Sequence, residues 1–514
     1  MRPKMIRKAT PDLVLINPSS SKRVYQSLAS ELAAIEPPVW AGLMASYVRG
    51  KGLSVEIIDA QAENLSADET AQRAVDFGAP LVAVVAYGQQ PSASTQVMPA
   101  ARDVCHSVKQ LAPYQKLILL GGHVAALPER SLREESADFV SGGEGLVTLV
   151  ELTNAIKARD EDYGKVADLY YRSGSEIALP LRRAPLVNDL DNEMPGIAWD
   201  LLPMHLYRAH NWHCLGNVDS GGDLARSPYA SIYTTLGCPY KCSFCCIQAP
   251  FKSGENVLGM KATTNSYRFW SPKRVGDELE FLVRNYGVRN VKFADEMFVL
   301  NKRHVEGICD EISRRGLDLN IWAYARVDTV KEGMLPHLKK AGINWLAFGI
   351  EAANAKVRDD VQKGFDQEDI FETLKKVWDH DLYVIGNYIF GLPEDNYDTM
   401  QETLDMALRL NCEFANFYCA MAYPGSPLYH TATANNWQLP DSWAGYSQHA
   451  FDTLPLPTKH LSGPEVLKFR DQAFQTYYAY EPYLQRVEQK FGPETVRHLR
   501  EMAAKPLPRQ YASV

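Results

Sequence analysis

The feature that most constrains this chain is a run of three closely spaced cysteines, Cys238-Pro-Tyr-Lys-Cys242-Ser-Phe-Cys245. Three thiolates on one short loop can each bind a different iron of a [4Fe–4S] cluster. The fourth iron is then left without a protein ligand, so a substrate or cofactor can bind there. An open iron indicates chemistry rather than passive electron transfer.

Two other interpretations of these cysteines stay open at this point. A structural zinc site needs four ligands, usually as two separated pairs, and the sequence contains no second C-x2-C pair. Cys246 directly follows Cys245, and neighbouring residues rarely both reach one metal. The cysteines could also be buried thiols that only fill a core.

The run resembles the cluster motif of the radical S-adenosylmethionine (SAM) superfamily. Thr234-Thr235-Leu236-Gly237 precedes the first cysteine, and Phe244 occupies the aromatic position before the third. The resemblance implies that Cys238, Cys242 and Cys245 hold the cluster and that SAM chelates the open iron. It also implies an electron donor such as a flavodoxin or ferredoxin.

Composition excludes several other classes of protein. A chain of 514 residues is long enough for more than one domain. The net charge of −8 argues against nonspecific nucleic-acid binding. No apolar run is long enough for a transmembrane helix, so no membrane insertion is expected. The basic N-terminus lacks the apolar core of a signal peptide, and a cytoplasmic location suits an oxygen-sensitive cluster.

Residues 11–160 alternate between strand and helix patterns. The apolar runs predict strands at residues 13–16, 54–58, 81–86, 116–120 and 138–140. Continuous apolar strands separated by helices indicate an α/β domain with a doubly wound parallel sheet covered on both faces. Such sheets bind ligands beyond the carboxyl ends of their strands, where the Ser-rich and Gly-rich loops of this segment fall.

This first segment resembles the flavodoxin-like cobalamin-binding domain that precedes many radical SAM domains. The resemblance depends on Pro37-Pro38, Gly121-Gly122-His123 and Gly142-Gly143-Glu144-Gly145. It implies cobalamin contacts from the following residues: Ser19, Ser20, Tyr87, Gly121, Gly122, His123, Gly143 and Glu144. A Rossmann-like domain that binds a nucleotide or only packs is the alternative, although no G-x-G-x-x-G follows the first strand.

One departure from the cobalamin pattern concerns the ligand below cobalt. Domains that supply a histidine to cobalt carry D-x-H-x-x-G after the first strand, whereas this loop is Asn17-Pro-Ser-Ser-Ser-Lys22. The resemblance therefore implies cobalamin bound without a protein histidine on cobalt. We expect His123 to be either a loop residue near the corrin ring or an ordinary polar residue, rather than a ligand.

Residues 161–227 form a predicted connector with a hairpin at residues 169–174. Its simplest interpretation is a linker that packs between two domains. The functional alternative is that Trp212, His213 or Asp219 reaches the substrate.

Residues 228–430 alternate strand and helix patterns again. Six strands, at residues 231–235, 291–293, 321–325, 345–348, 383–389 and 414–418, predict a partial (β/α)6 barrel. In such barrels the polar strand ends form the active site. Residues 431–514 are predicted to be mainly helical, with their aromatic residues packed in a core and a surface helix at residues 497–505.

The strand ends of this barrel also resemble the radical SAM superfamily. The resemblance implies SAM contacts from Asp295, Arg326, Glu351 and Gly391, in addition to Phe244. The alternative for the charged residues is that they are solvated or salt-bridged and have no role in catalysis.

Together these patterns predict an enzyme that uses a [4Fe–4S] cluster, SAM and cobalamin. It would form a 5′-deoxyadenosyl radical and methylate an unactivated carbon of a small metabolite, either a saccharide or a natural-product intermediate. Two alternatives are radical oxidation, cyclisation or rearrangement without methyl transfer, and a non-catalytic iron–sulfur protein. The sequence does not identify the substrate.

Overall fold

A computed structural model describes residues 10–215, 226–365 and 367–511 of the chain. Two large β-sheets, the first mainly parallel and the second fully parallel, follow one another along the sequence with helices on their faces, and four helices complete the described C-terminal region. The α/β architecture predicted from sequence is confirmed.

The first sheet has seven strands in the order β2-β1-β3-β4-β5-β6-β7. Its strands are β1 Leu13–Asn17, β2 Val55–Asp59, β3 Leu81–Val85, β4 Lys116–Leu120, β5 Phe139–Ser141, β6 Leu169–Ser173 and β7 Glu176–Ala178. The first five are parallel, and their order 2-1-3-4-5 is the flavodoxin-like order. All five residues of β3 are buried, as expected for a central strand with helices on both faces.

Helices cover this sheet and link its strands. They are α1 Ser21–Tyr25, α2 Leu28–Glu31, α3 Val39–Gly50, α4 Ala67–Asp76, α5 Ala93–Leu111, α6 Gly122–Ala126, α7 Pro128–Glu134, α8 Leu146–Ala158 and α9 Leu190–Glu193.

The hairpin predicted in the connector is present, and it extends the first sheet. β6 pairs antiparallel with β5, and β7 pairs antiparallel with β6. Leu169 and Tyr170 at the start of β6 are buried, so the pairing protects an otherwise open edge of the sheet. The domain boundary at residue 160 stays a prediction.

The second sheet has six parallel strands in the order β15-β14-β13-β12-β11-β8, which is the predicted partial barrel. Its strands are β8 Tyr229–Ile232, β11 Asn290–Phe293, β12 Asn320–Ala325, β13 Ile343–Glu351, β14 Tyr383–Phe390 and β15 Phe414–Cys419. The helices of this region are α10 Lys252–Val257, α11 Pro272–Tyr286, α12 Lys302–Arg314, α13 Leu335–Lys340, α14 Ala355–Asp360, α15 Gln367–Asp379 and α16 Tyr397–Leu410.

A two-stranded antiparallel ribbon after β8 differs from the sequence prediction of one strand over residues 231–235. β8 ends at Ile232, and a separate strand β9, Thr235–Gly237, pairs antiparallel with β10, Tyr267–Phe269. Gly237 has φ +89°, and a Cβ there would collide with the Ser266 carbonyl oxygen. Only glycine suits this close approach of two backbones directly before the first cysteine.

The C-terminal helices are α17 Pro427–Ala434, α18 Gly463–Tyr478, α19 Glu481–Phe491 and α20 Pro493–Ala503. The hydroxyls of Tyr477, Tyr478 and Tyr483 donate hydrogen bonds to backbone carbonyls at the start of β15, at 2.7, 2.8 and 3.2 Å. These aromatic residues are buried, as predicted. Within the described residues, no helix combines the length and apolarity that crossing a membrane requires.

Candidate active site between the two sheets

The cluster loop begins directly after β9. Cys238 is buried, whereas Cys242 and Cys245 are partly exposed, and all three are free thiols. The side-chain amide of Gln248 donates to the carbonyl oxygen of Cys238 at 2.7 Å, and the Cys245 amide donates to the Cys242 carbonyl at 3.0 Å. The loop therefore presents three thiols from one fixed turn.

Two of the three thiols lie in surroundings that disfavour the thiolate form. Burial raises the pKa of Cys238 to about 11 and holds the pKa of Cys245 well above its usual range. Metal binding must therefore displace protons from both thiols. Among the described parts of the chain, no three His, Cys, Asp or Glu side chains lie close enough to share one ion. In a [4Fe–4S] cluster each thiolate binds its own iron, so the three thiols need not converge on one ion.

Asp295 fixes the chain just before the cluster loop. Its fully buried carboxylate accepts hydrogen bonds from the Thr234 amide at 3.1 Å, the Thr234 hydroxyl at 2.8 Å and the Thr235 hydroxyl at 2.5 Å. Burial raises its pKa to about 6. The geometry makes Asp295 a positioning residue for β9, and a direct SAM contact from it stays a prediction.

Glu296 is a candidate site residue that the sequence reasoning did not select. It accepts no hydrogen bond from the residues that the structure describes, and burial raises its pKa to about 8. It lines a small cavity together with Tyr233, Gly122 and Cys246, where the two domains meet. The sequence signal that could have identified Glu296 is its position next to Asp295 at the end of a strand. Of these two carboxyl groups, that of Glu296 is the one without a hydrogen-bond donor in the described parts of the chain.

Arg326, directly after β12, has an unsatisfied donor beside the cluster loop. Its Nε donates to Asp328 at 2.7 Å, and its Nη2 donates to the Gly364 carbonyl at 3.3 Å. The guanidinium lies 4.4 Å from the ring centre of Tyr240, within the cluster loop. Its buried Nη1 has no hydrogen-bond partner among the described residues. Such a donor fits the carboxylate of a bound amino acid, which supports the predicted SAM contact.

Glu351 ends β13 in an ion pair with Lys363, at 2.6 Å, and both side chains are about nine-tenths buried. Its φ of +64° is uncommon for a residue with a side chain. Lys363 adjoins Gln362, whose carbonyl lies 3.9 Å from the Cys242 sulfur. The pair thus lies beside the cluster loop, and a contact from Glu351 to SAM stays a prediction.

Phe244 and Gly391 have structural environments that explain their residue types. Phe244 packs against a buried cluster that includes Val361 and Leu392. The amide of Gly391, which has φ +79°, donates to Asp395 at 3.0 Å at the end of β14. Their contacts with SAM stay predictions.

A cavity of about 550 Å³ lies between the barrel strands and the first domain. Tyr324, Asn387 and Tyr418 line it from β12, β14 and β15, while Tyr25 and Gln96 line it from the first domain. Residues 502–507 at the end of α20 also line it, so the predicted surface helix has one face on this cavity.

A smaller cavity of about 60 Å³ lies at the carboxyl ends of β1 to β3. Ser20 and Gln61 line it, and the Ser20 amide donates to the Gln61 side chain at 2.9 Å. Tyr25, Gln89 and Gln96 line both cavities. The two cavities therefore share part of their lining where the first domain meets the barrel. Ser19 and Ser20 lie in the loop beside the smaller cavity, and their cobalamin contacts stay predictions.

The Gly121-Gly122-His123 turn is packed rather than open. His123 is 2% exposed, its Nδ1 lies 3.2 Å from the Thr95 hydroxyl, and Trp443 covers its ring edge-on at 4.4 Å. Burial lowers its pKa to about 3, so the ring is neutral. A Cβ on Gly121 would collide with the Ala86 carbonyl. Their roles in cobalamin binding stay predictions.

Tyr87, Gly143 and Glu144 lie where the two domains contact each other. The Tyr87 ring stacks on Trp40 at 4.4 Å, and its hydroxyl donates to the Glu144 carbonyl at 3.0 Å. A Cβ on Gly143 would collide with the carboxylate of Asp168. These contacts give the three residues a structural function, and their cobalamin contacts also stay predictions.

The connector contributes His210, Asn211 and Trp212 to the lining of the large cavity. Trp212 lines it and packs edge-on against Trp322 at 5.2 Å. His213 is buried, and burial lowers its pKa to about 3. Asp219, the third candidate, lies outside the described residues.

A buried ion pair in the lining of the large cavity joins the two domains. Lys292 on β11 lies 3.0 Å from Glu36 of the first domain and also donates to the Gln89 carbonyl at 3.0 Å. His210 lies 3.5 Å from the same carboxylate. The carboxylate of Glu36 therefore has a cationic partner, and the two charges balance each other in the cavity lining.

Sequence comparison agrees with this two-domain geometry. Residues 25–153 match the family of the B12 binding domain, and residues 232–407 match the radical SAM superfamily. This chain is a B12-binding radical SAM protein. It therefore belongs to the enzymes that use a [4Fe–4S] cluster and SAM, and its first domain is of the cobalamin-binding type.

Curated relatives of this B12-binding radical SAM protein cover most of its length. An uncharacterized methyltransferase of Pyrococcus horikoshii is 29% identical over 86% of this chain and 88% of the relative. An anaerobic magnesium-protoporphyrin IX monomethyl ester cyclase of Cereibacter sphaeroides is 26% identical over 88% of this chain and 68% of the relative.

Among solved structures, the radical SAM methyltransferase TsrM from Kitasatospora setae, with cobalamin and a [4Fe–4S] cluster bound, is similar in fold. The TM-score is 0.64 at 16% identity, over 96% of this chain and 99% of the other. This likeness shows a shared fold.

Proposed function

We propose that this protein is a cobalamin-dependent radical SAM methyltransferase that methylates an unactivated carbon of a small metabolite. The observation that carries the proposal is a pair of adjoining cavities between the two domains. The smaller cavity lies at the strand ends of a B12-binding fold, where such sheets bind ligands. The larger cavity is lined by strands of a barrel whose cluster loop holds three free thiols.

When bound, the cluster and SAM supply a carbon-centred radical, and cobalamin supplies a methyl group. The protein's own residues hold the reactants and exclude water. Cys238, Cys242 and Cys245 would hold the cluster, and the free Nη1 of Arg326 would bind the SAM carboxylate. The rings of Tyr324 and Tyr418 line the large cavity and would help to exclude water from it.

The lining of the large cavity favours a substrate without net charge. Lys292 is paired with Glu36, and Arg470 is paired with Asp471 at 2.7 Å. The remaining polar groups on the barrel strands are amides and phenols, such as those of Asn387 and Tyr418. Amides bind hydroxyl and carbonyl groups, and aromatic faces pack on rings. A saccharide or a ring-bearing natural-product intermediate satisfies both conditions.

A radical cyclisation without methyl transfer is the second candidate. It is favoured by the likeness to the anaerobic magnesium-protoporphyrin IX monomethyl ester cyclase, which extends over 88% of this chain. The two candidates differ in their SAM products, because only methyl transfer consumes a second SAM to restore the methyl group.

The test is anaerobic turnover of the reconstituted protein with SAM labelled in its methyl group and a panel of neutral metabolites. Methyl transfer gives 5′-deoxyadenosine, S-adenosylhomocysteine and a labelled product. Formation of 5′-deoxyadenosine without S-adenosylhomocysteine would reject methyl transfer and favour radical cyclisation. Neither product in the presence of a loaded cluster would reject both.

A further inference from the structure

Two exposed stretches of the chain lie in the cluster loop and shortly after it. They are Pro239 and Lys241 in that loop, and Val257, Leu258 and Lys261 at the end of α10 and in the segment after it. We name these five residues the cluster-side patch. Val257 is 46% exposed and Leu258 is 42% exposed. Large apolar side chains at this exposure are typical of surfaces that bind a partner when they lie together.

Hydrogen bonds place the segment after α10 beside the cluster loop. The Asn265 side chain donates to the Tyr240 carbonyl at 2.7 Å, and it accepts from Lys252 at 2.8 Å. The side chain of Gln248 donates to the carbonyls of both Cys238 and Ser266, at 2.7 and 3.3 Å. Two residues of the patch also adjoin cluster ligands in sequence, because Pro239 follows Cys238 and Lys241 precedes Cys242. A protein that docks on the patch would therefore lie a short covalent path from these two cysteines.

The patch is basic on a chain whose net charge is −8. Residues 238–267 contain Lys241, Lys252 and Lys261 but only one carboxylate, Glu255. That carboxylate is buried and bonded to Lys252 and Ser266. The nearby Asp328 is paired with Arg326 at 2.7 Å. The rim cations Lys241 and Lys261 thus face solvent without an acidic side chain of their own segment beside them.

We infer that the cluster-side patch is the docking site of the one-electron donor, a small acidic protein of the flavodoxin or ferredoxin type. The inference rests on the proposed function, because cleavage of SAM needs an electron that neither SAM nor the substrate supplies. In the transfer, the donor is oxidised by one electron and the [4Fe–4S]²⁺ cluster is reduced to [4Fe–4S]⁺. No bond is made or broken in this step.

The size and chemistry of the patch suit this partner. Electron-transfer complexes bury little area and exchange quickly, so a few apolar side chains with a charged rim suffice. Complementary charge mainly raises the association rate, and salt weakens it. An acidic donor would be attracted to Lys241 and Lys261, whereas the rest of this acidic chain would repel it.

The test compares two variants of the reconstituted protein with matched controls. K241E/K261E reverses the rim charge, and L258N removes the apolar centre. K340E/K468E reverses two other exposed lysines, and L111N alters an apolar side chain that is 47% exposed on the first domain. Each protein receives electrons from a reduced bacterial flavodoxin, from a reduced ferredoxin, or from dithionite, which needs no docking site.

The readouts are the rate at which the cluster's visible absorbance is bleached and the affinity for oxidised flavodoxin measured by biolayer interferometry at low and high salt. We expect K241E/K261E to slow reduction by the better protein donor at least about 10-fold and L258N to slow it several-fold, with dithionite rates unchanged. Controls should match the wild type. Equal rates in all variants, or reduction of the wild type by neither protein donor, would overturn the docking site. Neither readout depends on methyl transfer, so failure of the proposed function would be seen separately.

Discussion

Arg268 on β10 donates a hydrogen bond from Nη2 to Oε1 of Glu144 in the Gly-rich loop of the first domain, at 2.6 Å. The two side chains are 6% and 7% exposed, so the ion pair is buried in the contact between the domains. The Nη1 of Arg268 donates to the Val187 carbonyl at 2.6 Å. The pair therefore joins the B12-binding fold to β10, which pairs with β9 directly before the cluster loop.

Removing one partner of this pair should destabilise the protein strongly. Glu144→Ala leaves the guanidinium of Arg268 buried and unpaired, which costs about 3–5 kcal/mol in comparable buried pairs. The double variant E144L/R268M should recover much of that loss, because it leaves no buried charge. Urea denaturation of the cofactor-free protein measures both.

The same variant also tests the cobalamin contact predicted for Glu144. If Glu144→Ala kept the wild-type stability but lost cobalamin on gel filtration, Glu144 would bind the cofactor and the interdomain role would be wrong.

The cluster cysteines give a second prediction. Each of C238A, C242A and C245A should purify with well under half of the wild-type iron after anaerobic reconstitution, because each removes the protein ligand of one iron. Cys309 is a free, buried thiol in α12, so C309A serves as the control and should retain wild-type iron. Iron analysis and the visible spectrum provide the measurement. Full iron content in C242A would contradict the assignment.

Arg326 is expected to control SAM affinity. Arg326→Gln removes the unsatisfied Nη1 donor and the charge, which should weaken SAM binding roughly 10- to 100-fold, since charge-assisted hydrogen bonds contribute about 1.5–3 kcal/mol. Arg326→Lys keeps the charge without the guanidinium fork, so its SAM affinity should lie between those of the wild type and R326Q. Equilibrium dialysis of SAM against the reconstituted variants measures this. Unchanged affinity in R326Q would assign the guanidinium to packing on Tyr240 instead.

The sequence was sufficient for the fold because its strands are long apolar runs in a strict strand–helix alternation. The run at residues 81–86, for example, became the central strand β3 with every residue buried. The sequence did not predict the antiparallel pairing of β9 with β10, because Thr234 and Thr235 have good strand propensity and read as part of the preceding strand. Their hydrogen bonds to the distant Asp295 break the strand there, and local pattern cannot reveal such a contact.

The site was predictable only where residues adjacent in sequence act together. The three cysteines lie on one loop, so their spacing alone identified them. The partners Lys363 and Glu351, and Lys292 and Glu36, come from distant segments that only the folded chain brings together. His123 shows the opposite limit: it was expected in a loop but lies in α6, buried against Trp443, and its position relative to the corrin stays a prediction.

Glu296 should make the stability of the cofactor-free protein depend on pH. Burial raises its pKa from the ordinary 4.5 to about 8, so the folded state binds more protons than the unfolded chain between these values. Stability is therefore greatest below the unfolded pKa and falls as pH rises through the folded pKa. Glu296→Gln removes this ionisation, which should stabilise the protein by up to a few kcal/mol at about pH 8.5, at about 1.4 kcal/mol per pKa unit, and change little near about pH 4.5.

Thermal unfolding of the cofactor-free protein at several pH values checks this prediction. The melting temperature of E296Q should decline less steeply with pH than that of the wild type, while a variant of an exposed carboxylate, E368Q, should follow the wild type. D295N gives the contrast, because weakening the acceptor that holds Thr234 and Thr235 should destabilise the fold itself. Parallel pH profiles for E296Q and the wild type would show that the Glu296 carboxyl reaches solvent and titrates normally.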